Sequence, residues 1–398
     1  MPINFTHRKP HRIAELTFVG VIMTIGWAMG DTFWAVYMKE FIKSDSMVGF
    51  LSGLFTFIST LAFFFFVPLV EKSDEAKLFA YCMITSIVSY LIYYFTENFW
   101  VFFLITICLV ISLVLRRESY GLLIRGNSEK RSISKNQGLV YMLANLGWLI
   151  GPLIAGFVAE EYGIRKIYVF SAVFLLFALA VFIIFKIKDS SHKIKINVGN
   201  KNFCSLQNFK YIWQHKELKK TYLISVGLYI WWTIIYIYLP LLISESLSVI
   251  WVGYFLAAIP IPLIFLEYFV GKYQHKIGAK KLFTVGYSIL STVALAAFFI
   301  DNIYLLMVLF VFASIPVAFI EPTRESYFWE LVPENSVRHY YGPYMSSIDI
   351  GSILGRVIFA AILLILPYKF IFLALFLLML YVTHVAFSVK GEEGLRDN

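Results

Sequence analysis

Long apolar runs are the feature that most constrains how this chain can fold. Twelve of them begin near residues 13, 46, 77, 98, 137, 164, 219, 248, 279, 302, 340 and 368. A helix of about 20 residues crosses the roughly 30 Å hydrocarbon core of a membrane, and most of these runs are that long. Only 15% of the residues are charged, against about 25% in soluble domains. The pattern predicts an all-α integral membrane protein with twelve transmembrane helices, because a membrane barrel would show short alternating segments instead.

Basic residues are distributed unequally between the predicted loops. If the N-terminus is cytoplasmic, the inner segments hold 28 of the 34 lysines and arginines, and the outer loops hold only 5. Because lysine and arginine concentrate in cytoplasmic loops, both termini are predicted to be cytoplasmic, in a multi-pass protein of the plasma (cytoplasmic) membrane. The net charge of +9 is therefore a topology signal, and nucleic-acid binding is not expected.

The two halves of the chain repeat each other. The string RESY occurs at 117–120 and again at 324–327, and three further regions agree at an offset of 204 residues. We therefore predict a duplicated unit, with one six-helix bundle over 1–185 and a second over 219–398. Residues 186–218, which are polar and basic, are predicted to form a cytoplasmic linker with a short surface helix near 204–216. The matched glycines and polar residues are Gly49/Gly253, Gly138/Gly342, Asn145/Asp349, Gly147/Gly351 and Gly151/Gly355.

Three segments resemble motifs of the major facilitator superfamily. The loop GKYQHKIGAKK after the eighth run follows the superfamily signature G-x-x-x-D-[RK]-x-G-x-[RK]-[RK], with His275 in place of the acid. The loop VPLVEKSDEAK after the second run keeps Glu71 and Lys72 but lacks both glycines. In the fifth run, GWLIGPLIAG is similar to a motif that is commoner in exporters than in importers. The resemblance implies two pseudo-symmetric bundles that open a central cavity to each side of the membrane in turn.

The first run carries an acid on a polar face. Gly20, Thr24, Trp27, Asp31 and Trp34 share one side of a helix by their i, i+3/i+4 spacing, and the resemblance implies that this run lines the cavity. Because a charge inside lipid is unfavourable, an ionisable residue there is a functional candidate. We predict that Asp31 couples transport to protons. The alternative is a solvated acid near the outer rim that pairs with a neighbour.

The second half contributes an aromatic stripe and an arginine. The seventh run carries Tyr229, Trp232 and Tyr236 on one face, and such a stripe suits stacking on a small organic solute as well as helix packing. Arg356 in the eleventh run is predicted either to hold an anionic solute, to pair with Asp31, or to be neutralised within the protein. The predicted cavity residues are Thr24, Trp27, Trp34, Asn145, Tyr229, Trp232, Tyr236 and Arg356.

Charged residues recur at the inner ends of the fourth and tenth runs. Duplicated clusters can pair when the cavity faces outward and separate when it faces inward, so they predict an inner gate. The alternative is a set of ordinary surface salt bridges, each worth about 0 to 1 kcal/mol. The predicted gating residues are Glu71, Lys72, Arg116, Arg117, Glu118, Lys276, Glu321, Arg324, Glu325 and Asp349.

Signatures of enzymes are missing from the sequence. It contains no phosphate-binding loop, no nucleophile elbow and no zinc-type cluster, and its three cysteines lack metal spacing. We therefore predict a monomeric secondary transporter without cofactor or metal, which moves a small organic solute with proton coupling. Efflux by proton antiport is favoured, with uptake by proton symport as the alternative. A non-transporting membrane sensor or a lipid-modifying membrane enzyme is the alternative from a different class.

Overall fold

The computed structural model describes residues 11–70, 73–127, 133–186, 206–332 and 337–390, and these residues contain helices and no strand. One π-helical turn (Ile234–Tyr238) lies between α9 and α10. The α-helices are α1 (His11–Thr32), α2 (Trp34–Ile42), α3 (Asp45–Val70), α4 (Glu75–Phe95), α5 (Phe99–Asn127), α6 (Ile133–Tyr162), α7 (Ile164–Ile184), α8 (Leu206–Gln214), α9 (Lys216–Thr233), α10 (Leu239–Ser246), α11 (Ile250–Ala258), α12 (Pro260–Ile277), α13 (Ala279–Phe299), α14 (Ile303–Phe312), α15 (Ser314–Leu331), α16 (Val337–Leu363) and α17 (Phe370–Phe387).

Eleven stretches of the described residues are long and apolar enough to cross a membrane. Four of them join consecutive helices: α1 with α2, α9 with α10, α11 with α12, and α14 with α15. The fifth predicted run forms α6, which has 30 residues but begins with the polar sequence ISKNQG. The predicted all-helical membrane fold is confirmed.

Contacts between helices divide the chain into two compact units. The first unit comprises Met1–Tyr37, Ile58–Val198 and Val252–Ala257, and the second comprises Met38–Phe57, Gly199–Trp251 and Ala258–Asn398. The predicted bundles follow chain order, whereas these contacts place the first half of α3 in the second unit and most of α11 in the first. Residues 187–205 of the predicted linker lie outside the described residues, and α8 occupies the position of its short helix.

Matched glycines have the same packing role in both units. In the first unit α6 packs on α1, and a Cβ atom on Gly147 would lie 2.8 Å from Cγ2 of Thr24. In the second unit α16 packs on α9, and a Cβ atom on Gly351 would lie 2.5 Å from the carbonyl oxygen of Val226. Small residues permit such close approach of membrane helices. The repeat in the sequence therefore corresponds to a repeated helix contact.

The π-helical turn in the seventh span has a local cause. Pro240 has no backbone N–H, and its ring would clash with the carbonyl group four residues earlier in a regular α-helix. The N–H of Leu239 instead donates to the carbonyl oxygen of Ile234, five residues back. The wider turn accommodates the proline without ending the span, and it contains the predicted cavity residue Tyr236.

Candidate functional site

Three residues of the first span form one partly exposed line. Trp27, Asp31 and Trp34 are each half-buried and follow the spacing i, i+4, i+7, whereas the residues between them are buried. Thr24 departs from this line, because it is buried and its hydroxyl group donates to the carbonyl oxygen of Gly20 at 2.8 Å. The accessible part of the predicted polar face is therefore an acid between two indole rings.

Arg116 is the most deeply buried charged group near this line. It lies on α5 and is only 3% exposed, with its guanidinium carbon 5.1 Å from the centroid of the Trp27 ring. Trp27 in turn meets Trp148 of α6 edge-on, at 5.6 Å between centroids. Among the described residues, no carboxylate forms a salt bridge with Arg116 and no acceptor bonds its Nη1 atom. The first unit thus encloses a positive charge against an aromatic ring.

Tyr90 of α4 connects the acid and the arginine. Its hydroxyl group lies within electrostatic range of both Asp31 and Arg116. The same hydroxyl oxygen would lie 3.0 Å from a Cβ atom on Gly30, so the missing side chain lets the phenol reach α1 beside Asp31. An acid, a phenol and a guanidinium group from three helices are therefore neighbours inside the first unit.

Arg324 of α15 is the buried arginine of the second unit, with 5% exposure. Its Nη1 donates to Oγ of Ser225 at 3.0 Å, and its Nη2 donates to the hydroxyl oxygen of Tyr229 at 3.2 Å. The guanidinium carbon also lies 5.3 Å from the centroid of the Tyr229 ring. Glu321 and Glu325 lie within electrostatic range. Hydroxyl groups of α9 and nearby acids thus stabilise this charge.

The predicted aromatic stripe is the accessible face of the seventh span. Between Ile224 and Leu241, Tyr229, Trp232 and Tyr236 are half-buried and every other residue is buried. The rings of Trp232 and Tyr236 lie 5.5 Å apart. The three side chains follow the spacing i, i+3, i+7, so they form a continuous aromatic line along one of the most enclosed spans.

The remaining predicted cavity residues have other surroundings. Arg356 donates from Nη1 to the carbonyl oxygen of Ser52 at 3.0 Å, and its own carbonyl oxygen accepts from the Tyr238 hydroxyl group at 2.7 Å. Asn145 is half-buried on α6. Asp349 is half-buried on α16, within electrostatic range of the Tyr222 hydroxyl group. A backbone carbonyl group of α3 therefore holds the Arg356 guanidinium group.

The predicted gating residues occupy different environments. Arg117 has a side chain that is 67% exposed, and its Nε lies 3.3 Å from Oε1 of Glu118. Lys276 is exposed, with Nζ 5.9 Å from the centroid of the Tyr273 ring. The predicted residues Glu71 and Lys72 lie outside the described residues. The two RESY strings align Arg117 with Arg324, but by burial and by ring contact the counterpart of Arg324 is Arg116.

Sequence reasoning missed two features of these sites. Tyr90 looked like any other aromatic residue of a span, and its role depends on the packing of α4 against its neighbours. Nζ of Lys39 on α2 lies 2.6 Å from Oδ1 of Asp45, and it also forms a salt bridge with Glu245 at the end of α10. The pairing of Lys39 with Asp45 could be predicted from the sequence, because only the short α2–α3 turn separates them. The salt bridge of Lys39 with Glu245 could not be predicted.

Comparison with known proteins identifies the family. The sequence model of the Major Facilitator Superfamily matches residues 16–295 and 221–394. The chain belongs to this superfamily. An uncharacterised MFS-type transporter of Methanocaldococcus jannaschii is 25% identical over 336 residues, covering 82% of this chain and 84% of the relative. The resemblance expected from the motifs is confirmed, and the chain is a multi-pass membrane protein of a secondary transporter family.

Solved structures of other transporters share the fold. A variant of the nucleoside transporter NupG superposes with a TM-score of 0.79 at 12% identity, over 94% of this chain and 99% of that one. A POT family transporter in complex with 5-aminolevulinic acid gives a TM-score of 0.76 at 11% identity, over 97% of both chains. The TM-scores establish the common architecture, and at identities this low the likeness concerns the fold alone.

Proposed function

We propose that this protein moves a small organic solute across the membrane by alternating access, with proton exchange at Asp31. The observation that carries the proposal is the position of Asp31, a half-buried carboxylate within a membrane span, beside the phenol that also neighbours Arg116. Ionisable residues inside membrane spans commonly mark proton and substrate pathways. Membership of the superfamily supports transport as the general function of the protein.

The surroundings of Asp31 give the coupling a physical basis. Low polarity favours the protonated form of a carboxylate, whereas a nearby cation favours the ionised form. Asp31 lies half-buried within a membrane span, and the Tyr90 hydroxyl group lies within electrostatic range of both Asp31 and Arg116. A solute that changes the exposure of Asp31 would change its protonation, which is what exchange of protons for solute requires.

Solute contact is assigned to the accessible aromatic residues of the two units. Trp27 in the first unit and Tyr229, Trp232 and Tyr236 in the second are half-buried rings on otherwise enclosed helix faces. Rings so placed suit the stacking and hydrogen bonding of a small organic molecule. Arg117 and Glu118 on α5, with the charged residues at the inner end of α15, remain our proposal for the gate. We also propose that the termini are cytoplasmic and that the protein is monomeric.

Efflux by proton antiport is the direction that we favour. The segment GWLIGPLIAG on α6 is similar to a superfamily motif that is commoner in exporters. Uptake by proton symport is the alternative, and the two differ in a measurable sign. In proteoliposomes, antiport moves solute against the direction of proton flow, whereas symport moves both together.

The decisive experiment compares Asp31→Asn with Asp301→Asn. Asp301 is exposed and lies outside the candidate spans, which makes it a matched control. A solute found by thermal-shift screening of the purified protein is added outside proteoliposomes that carry an imposed pH gradient, and its accumulation inside them is measured. We expect Asp31→Asn to bind the solute but to lose gradient-driven accumulation, and Asp301→Asn to behave like the wild type. Normal accumulation by Asp31→Asn would show that Asp31 does not couple transport to protons.

A further inference from the structure

We propose that Arg116 is an anion-binding residue, and that it holds a carboxylate or phosphate group of the transported solute inside the first unit. This inference rests on the proposed transport function and deepens it, because it names the chemical class of the solute. It replaces the gating role predicted for Arg116 from the sequence. Three observations carry it.

The first observation is an uncompensated charge. A buried guanidinium group is strongly unfavourable unless carboxylates or several hydrogen-bond acceptors surround it. Arg116 is 3% exposed, yet among the residues that the structure describes none forms a salt bridge with it and none accepts from its buried Nη1. The ring of Trp27, 5.1 Å away, provides a cation–π contact, which offsets only part of the unfavourable free energy of burying the guanidinium group.

The second observation is the contrast with the second unit. Arg324 also packs on an aromatic ring, because its guanidinium carbon lies 5.3 Å from the centroid of the Tyr229 ring on α9. There, however, the hydroxyl groups of Ser225 and Tyr229 accept hydrogen bonds from its two Nη atoms. In the first unit the ring partner is Trp27, and an indole N–H can donate but cannot accept. Within the described part of the chain, both Nη atoms of Arg324 thus have acceptors, whereas Nη1 of Arg116 has none.

The third observation concerns what would complete the site. A guanidinium group is planar and presents paired N–H donors, which match the two oxygens of a carboxylate or phosphate group. The Tyr90 hydroxyl group lies within electrostatic range and can donate a further hydrogen bond. The rings of Trp27 and Trp148, whose planes meet at 66°, provide apolar contact for an organic body attached to the anion. The arrangement fits an organic anion with an aromatic or other apolar part.

The binding test uses benzoate and phenyl phosphate as probes and benzamide as the neutral probe of matched shape. Thermal unfolding of the full-length protein is measured in detergent at constant pH and ionic strength. We expect saturable stabilisation by at least one anion and none by benzamide. Arg116→Gln should weaken anion binding at least tenfold, whereas Lys77→Gln, which removes one positive charge from an exposed side chain of α4, should bind like the wild type. The two anions distinguish a carboxylate site from a phosphate site.

Two results of this titration would overturn the inference. One is that neither anion stabilises the wild type more than benzamide does, and the other is that Arg116→Gln binds them as the wild type does. Loss of proton-driven transport has no bearing on this readout, which requires no gradient. Anion binding at Arg116 without transport would therefore refute the proposed function alone, and transport without anion binding would refute this inference alone.

A second measurement needs no ligand. Because no described residue forms a salt bridge with Arg116 or accepts from its Nη1, Arg116→Met should raise the midpoint of thermal unfolding in the absence of probe. Arg324→Met should lower it, because the hydroxyl groups of Ser225 and Tyr229 would lose their donor. If Arg116→Met unfolds at a lower temperature than the wild type, or fails to fold, then the protein itself stabilises the guanidinium group, and the inference is wrong.

Discussion

Two adjacent arginines on α5 have opposite surroundings. Arg116 is 3% exposed and lies against Trp27, whereas the side chain of Arg117 is 67% exposed and pairs with Glu118. Successive residues of an α-helix point about 100° apart, so one position separates the interior of the unit from its surface. The RESY repeat aligns Arg117 with Arg324, whereas burial and ring contact make Arg116 the counterpart of Arg324.

At the same scale, Asp74 predicts a dependence of stability on pH. Its Oδ1 accepts from the backbone N–H of Lys77 at 3.0 Å and caps α4. That hydrogen bond holds the pKa of the Asp74 carboxyl group below its ordinary value. Because the folded pKa is lower than the unfolded one, the stabilisation is complete above the unfolded pKa and is lost as the pH falls through the folded pKa.

Asp74→Ala should lower the free energy of unfolding by about 0.5 to 1 kcal/mol at neutral pH, because α4 loses its cap. The difference from the wild type should shrink as the pH is lowered below about 4. Asp74→Asn is the matched control, because asparagine caps a helix without titrating. Unfolding temperatures of the three proteins across this pH range provide the measurement. A constant difference between Asp74→Ala and the wild type at every pH would contradict the assignment.

At the scale of helices, close contacts of α6 with α1 and of α16 with α9 organise the two units. A Cβ atom on Gly351 would lie 2.5 Å from a backbone oxygen and 2.8 Å from Cβ of Tyr229, so the helices would have to separate. A Cβ atom on Gly121 of α5 would have no heavy atom of the described residues within 4 Å outside its own helix backbone and its chain neighbours. The same glycine-to-alanine change therefore has opposite consequences at these two positions.

Gly351→Ala should destabilise the protein by about 1 to 3 kcal/mol, because the added methyl group overpacks a helix contact. Gly121→Ala should be neutral or stabilise it by up to about 1 kcal/mol, because alanine favours the helix over glycine. Thermal unfolding of the two purified variants compares them directly. Equal unfolding temperatures would mean that α16 and α9 are not in the tight contact described.

At the scale of the whole molecule, the distribution of basic residues predicts orientation. Lys166 on α7 and Lys272 on α12 are both exposed lysines near the ends of candidate spans, and they belong to segments predicted to lie outside and inside, respectively. After replacement of the three native cysteines, each lysine is changed singly to cysteine. This matched pair tests the orientation with one reagent.

A membrane-impermeant maleimide should label Lys166→Cys in intact cells and Lys272→Cys only in inverted vesicles. The physical reason is the excess of lysine and arginine in the inner segments, 28 residues against 5. The reverse pattern of labelling would place both termini outside. Labelling of both variants in intact cells would mean that the cells leak, and a lysed-cell control detects that case.

Properties that depend on periodicity were determined by the sequence alone. Apolar runs of span length, their duplication and the superfamily motifs predicted the all-helical fold and the family. The spacing of Trp27, Asp31 and Trp34, and of the aromatic residues on α9, predicted lines that are the partly exposed faces of their helices. These are local properties, because the pitch of one helix decides which residues share a side.

Only the tertiary structure decided which charges are compensated. Arg356 bonds to the carbonyl oxygen of Ser52, Arg324 to hydroxyl groups of α9, and Arg116 lies beside Trp27 and Tyr90. Each partner comes from another helix, far away along the chain. The surroundings of a buried charge depend on how helices are rotated and packed against one another, and no spacing within a single run contains that information.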